Sequence, residues 1–144
     1  IFGDNVEETL GKTKFIIFYL LTGGFAALTQ AILDTNSTIP MIGASGAIAG
    51  VLGAYLVLFP KAKIKVFFWF IIIFKIFKIR AFIVLGGWIL MQFLSYSGDD
   101  LNSGGVAYAA HIGGFISGIV LINFMKNKTG IKHKPSRSSV PNSK

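Results

Sequence analysis

A chain of 144 residues in which 53% are hydrophobic and only 14% charged is not composed for water, where about 25% charged residues is usual. It contains no cysteine, which excludes disulfides and thiol chemistry. The net charge of +8 raises nucleic acid as a partner, but the placement of those charges along the chain argues against it.

Residues 1–13 form a polar lead-in with Asp4, Glu7, Glu8 and the helix breaker Gly11. The opening has neither the basic start nor the small-residue cleavage site of a secretory signal, and is expected to come from the middle of a longer protein. Four uncharged apolar runs follow, at 15–33, 42–59, 81–98 and 104–125. Crossing hydrocarbon takes about 20 such residues, so each run is expected to span a membrane. The second run opens on "GASGAIAG", Gly43 to Gly50, and the fourth contains "AHIGGFISG", Ala110 to Gly118. Between the second and third, the run Val66 to Phe74 is too short to cross and is followed by Lys75, Lys78 and Arg80. That segment is expected to lie along the interface. Residues 126–144 are basic and carry Ser and Pro, and a disordered tail is expected there.

Residues 1–125 therefore read as one all-α domain, a polytopic membrane helix bundle. Backbone amides in lipid must be satisfied internally, which leaves helices or closed barrels. If the spans cross in turn, all 14 Lys and Arg residues fall on one side, and the opposite loops hold Asp34, Asp99 and Asp100 with no base. By the positive-inside rule the basic side, tail included, is cytoplasmic. The charge then needs lipid headgroups and no nucleic acid to explain it.

Glycine is dense in every span, although each costs about 1 kcal/mol against alanine within a helix. Gly46 with Gly50, and Gly114 with Gly118, form small-xxx-small pairs that let helix backbones approach. Most of these glycines are expected only to pack helices.

Ser45 and His111 stand apart. Both fall in the leaflet away from the basic side, with His111 about 10 Å below its end of the fourth span. An ionisable side chain within a span suggests function, although a lone intramembrane histidine or serine is often just a packing residue. Together they offer a hydroxyl nucleophile and a base for its proton. Gly43 and Gly46 clear the approach to the hydroxyl, and the Ser45 amide near a helix start offers a free N–H to an oxyanion. A zinc protease needs a His-Glu-x-x-His helix, and His133 in the tail is the only other histidine. All six acids lie outside the spans, which disfavours an aspartyl site. No cofactor or metal is expected.

At these residues the sequence resembles the rhomboid family of intramembrane serine proteases. The resemblance is carried by "FGDNVEETLGKTKFIIFYLLTG" from Phe2, "GASGAIAGVLGAYLVLFPKAKI" from Gly43 and "AYAAHIGGFISG" from Ala107. It implies a six-helix core, about four helices of which are present here. It further implies a serine and histidine dyad, with no third acid, that hydrolyses transmembrane protein substrates near the outer membrane face. Ser45 would be the nucleophile and His111 the general base. Gly43 would lie in the approach and the Ser45 amide would donate to the oxyanion, while Glu7 and Gly11 would shape the turn before the next helix. Further oxyanion donors in the family, a histidine and an asparagine, come from a helix ahead of this stretch. The aromatic residue often found four positions after the nucleophile, against the histidine ring, is Ala49 here. The alternatives are a non-catalytic rhomboid-like scaffold that binds transmembrane helices, an inactive fragment and, last, a channel or transporter, for which too few polar residues line the spans.

Overall fold

The computed structural model describes residues 2–35, 41–70, 73–98 and 106–126. The expected disorder of the tail beyond 126, and Asp99 and Asp100, lie outside the described residues. In chain order the elements are α1 (Phe2–Leu10), α2 (Lys12–Leu33), α3 (Ser45–Leu58), β1 (Lys63–Phe70), β2 (Ile73–Arg80), α4 (Ala81–Gly98) and α5 (Tyr108–Met125).

The polar lead-in is itself a helix. Val6 and Leu10, four residues apart, are buried while Asp4 and Glu8 face out, the pattern of an amphipathic helix laid on a core. Phe2 sets its ring edge-on to Tyr55 of α3, with centroids 5.0 Å apart. Gly11 has φ 80° and its N–H donates to the Glu7 carbonyl at 2.7 Å. Glycine adopts that backbone without a Cβ penalty, so α1 ends there and α2 starts on a new axis.

Two boundaries differ from the apolar runs. The run 42–59 yields a helix only from Ser45 to Leu58, because Gly43 has φ 122° and cannot be helical. The run 104–125 becomes helical at Tyr108. As a result α2 and α5 are long and apolar enough to cross a membrane, while α3 and the apolar stretch 81–97 of α4 are shorter.

The segment expected to lie along the interface is part of an antiparallel hairpin, paired from Lys63↔Arg80 to Phe70↔Ile73. Its residues are mainly β-branched and aromatic, types that favour a pleated strand. Lys-Ile-Lys at 63–65 and Lys-Ile-Arg at 78–80 alternate with the period of a strand. At its base the Ala81 N–H donates to the Ala62 carbonyl at 2.7 Å.

Helix direction follows from which residues meet. Gly23 faces Ala47, Gly46 faces Ala26 and Gly50 faces Thr22, so α2 runs antiparallel to α3. Gly114 meets Gly46 and Gly118 meets Gly50, so α3 and α5 run parallel. The bundle therefore alternates up and down, with Lys12, Lys14, Lys61, Arg80 and Lys126 near one end and Asp34 near the other. A core of Val6, Leu10, Phe18, Val51, Ala54, Tyr55, Ala81, Leu85 and Ile122 fills the basic half. Large apolar side chains also face outward, among them Leu20 at 67% and Phe124 at 82% exposure. A helix apolar on all sides is built for lipid.

Candidate active site

Ser45 is the first residue of α3, and Ala44 before it makes no side-chain cap. The first amides of a helix have no intrahelical acceptor, so this end carries unpaired donors and a partial positive charge. Ahead of it, Gly43 at φ 122° turns the chain into the helix, and a Cβ there would lie 3.9 Å from the Ser45 Oγ. With 14 residues, α3 is about 21 Å long against about 30 Å of hydrocarbon. If its far end lies at the basic surface, Ser45 falls about 9 Å short of the opposite one.

Behind the serine, α3 and α5 meet backbone to backbone. A Cβ on Gly114 would strike the Gly46 carbonyl, one on Gly118 the Gly50 carbonyl, and one on Gly53 the Phe115 carbonyl. On the α2 side, a Cβ on Gly50 would strike Thr22 and one on Gly113 would strike Thr29. Both threonine hydroxyls donate to carbonyls of their own helix, Tyr19 at 3.0 Å and Phe25 at 2.8 Å, so the threonines pack against the seam with their hydroxyls paired.

His111 lies one turn into α5 and is 9% exposed. Its helix start is held on α2 by Gln30, whose Oε1 accepts the Ala110 N–H at 3.1 Å while its Nε2 donates to Asp34 at 3.4 Å. From α4, the Gln92 Oε1 lies 2.7 Å from the His111 Nδ1, and the Trp88 ring lies 5.8 Å from the imidazole, tilted by 39°.

A cavity of about 500 Å³ opens between α2, residues 41–47 and the start of α5. Gly43, Ser45, Gly46 and His111 line it together. Gly50, Gly114 and Gly118 lie deeper in the helix seam and do not line it. Among the described residues no hydrogen bond joins Ser45 to His111, and no group of three or more His, Asp or Glu is placed to hold a metal ion.

Sequence reasoning missed Gln92, Trp88 and Gln30. A signal was available in part. A carboxamide within an apolar run must find a partner in lipid, and Trp88 and Gln92 share a helix face by their spacing of four. Nothing local says which helix they meet.

Fold and cavity together define a polytopic membrane helix bundle with a mainly apolar pocket that holds a serine and a histidine. The chain belongs to the rhomboid family, the Rhomboid domain description matching residues 1–128. It is 32% identical over 128 residues to Rhomboid protein 1, mitochondrial, from Saccharomyces cerevisiae. That match covers 83% of this chain and 33% of the yeast protein, so the chain spans about a third of the length of that relative. No solved structure matches the chain.

Proposed function

We propose that the chain carries the dyad of an intramembrane serine endopeptidase that cleaves transmembrane protein substrates near the face opposite its basic end. What supports this reading most is the single cavity lined by both Ser45, at a helix start, and His111. The imidazole takes the Ser45 proton as Oγ attacks the scissile carbonyl carbon. The tetrahedral oxyanion receives the Ser45 N–H. The imidazolium then protonates the departing amine, leaving an acyl ester on Ser45. Water, deprotonated by the same ring, hydrolyses that ester and restores the serine. Gly43 keeps the approach to Oγ open for a substrate backbone.

The test is labelling of the full-length protein with a fluorophosphonate probe in a bilayer. Wild type is expected to label, and Ser45→Ala and His111→Ala are expected to abolish it. Labelling that persists in Ser45→Ala refutes the proposal. One observation favours a second reading, a non-catalytic scaffold for transmembrane helices: Ser45 and His111 share no hydrogen bond. On that reading wild type does not label, and Ser45→Ala alters stability alone.

The basic end is proposed to face the cytoplasm, so that the cavity opens on the other side. Because the chain has no native cysteine, single cysteines at Lys12 or Lys126 should react with an impermeant maleimide only from the cytoplasmic side. Reaction from the opposite side would reverse the assignment.

A further inference from the structure

We infer that Gln92 is a positioning residue for the His111 base: its carboxamide oxygen holds the imidazole in one tautomer and one rotation, with Trp88 as the wall of the ring. The inference rests on the dyad proposed above and adds a third helix to it.

The tautomer follows from the amide. Gln92 Nε2 donates to the Trp88 carbonyl at 3.4 Å, and a carbonyl can only accept. That fixes which end of the carboxamide carries nitrogen, so the atom 2.7 Å from the His111 Nδ1 is Oε1. An amide oxygen cannot donate, and Nδ1 must therefore carry the hydrogen. In the neutral ring the lone pair is then on Nε2, the nitrogen left for the serine proton. Without Gln92 the ring is free to place its hydrogen on either nitrogen and to rotate about its side-chain bonds, and one of the two tautomers presents no base on Nε2.

The rest of the surroundings leave this task to α4. Position 49, on α3, is a fully buried alanine with only a methyl. The aromatic neighbour of the imidazole is Trp88, which also lies 6.1 Å from the Phe115 ring and so ties the ring to its own helix. From α2 comes Gln30, bonded to the Ala110 backbone and not to the imidazole. From α3 comes the Ser45 hydroxyl, across the shared cavity. Among the described residues no carboxylate is bonded to the ring, and the carboxamide takes the place an acid holds in a triad while adding no charge in the low-dielectric bundle.

The test compares wild type, Gln92→Met and Gln92→Glu in full-length protein in a bilayer. It measures fluorophosphonate inactivation against pH, together with thermal unfolding. Methionine keeps the length and removes the acceptor. Its maximal inactivation rate should fall about 10- to 100-fold, within the range a positioned base contributes, with probe affinity and melting temperature unchanged. Glutamate restores the acceptor, and its carboxylate stabilises the imidazolium. Its rate should recover above neutrality, with the acid limb of the profile moved about one unit to higher pH. Gln92→Met labelling at the wild-type rate and with the wild-type profile would overturn the inference while leaving the dyad standing. So would loss of labelling that tracks loss of melting temperature and is not rescued by Gln92→Glu, which marks a purely structural joint. Absence of labelling in wild type removes the dyad itself and this inference with it.

Discussion

Two regions of the bundle contain adjacent or spaced glycines and use them in opposite ways. In the seam between α3 and α5, eight residues of each helix are buried, and the added Cβ of Gly53, Gly114 or Gly118 would strike backbone of the facing helix. In α4 the buried side chains are Ala81 and Leu85, both near its start, and Gly86 and Gly87 have no atom within 4 Å of an added Cβ. The first region is a rigid floor, since a backbone carbonyl cannot rotate away. The second is a helix held at its base and, further along, through Trp88 and Gln92. The catalytic proposal therefore joins a fixed half, which carries the serine and histidine, to a more loosely packed half that aims the ring.

This contrast can be broken by adding single methyl groups. Gly118→Ala should have the largest effect, destabilising by about 1–3 kcal/mol as an overpacked core does, read as a lower melting temperature in detergent or bilayer. Gly50→Ala should cost less, because its first obstacle is the Thr22 side chain and not the backbone of a facing helix. Gly86→Ala should be smallest and of opposite sign, a gain of up to about 1 kcal/mol from helix propensity alone. Equal losses at Gly118 and Gly86 would erase the distinction between floor and flank.

Much of the architecture was legible in the sequence. Long uncharged runs announce spans because hydrocarbon tolerates neither charge nor unpaired backbone, and they placed α2, α4 and α5 to within a few residues. The errors came where a local backbone feature overrode composition. Gly43 at positive φ makes α3 begin later than its apolar run, and hydropathy is blind to a dihedral angle. The hairpin was missed because an apolar run of nine residues fits a strand as well as a helix, and pairing with a second strand decides between them. Of the candidate site, Gly43, Ser45, Gly46 and His111 were all singled out beforehand, since a hydroxyl and an imidazole beside glycines are unusual in lipid. Ala49 was noticed as an absence, but what stands against the ring in its place was not foreseen.

By itself the sequence determined the long uncharged runs that become α2, α4 and α5 and, through the order in which they follow one another, the gathering of the described basic residues at one end of the bundle, because both depend on chain-local composition. Only the tertiary structure decided which faces meet. Rotation of α3 and α5 is set by where small residues allow their backbones to close, which brings Ser45 and His111 to one cavity, while α4, whose glycines touch nothing, is turned by its larger side chains so that Gln92 meets the ring.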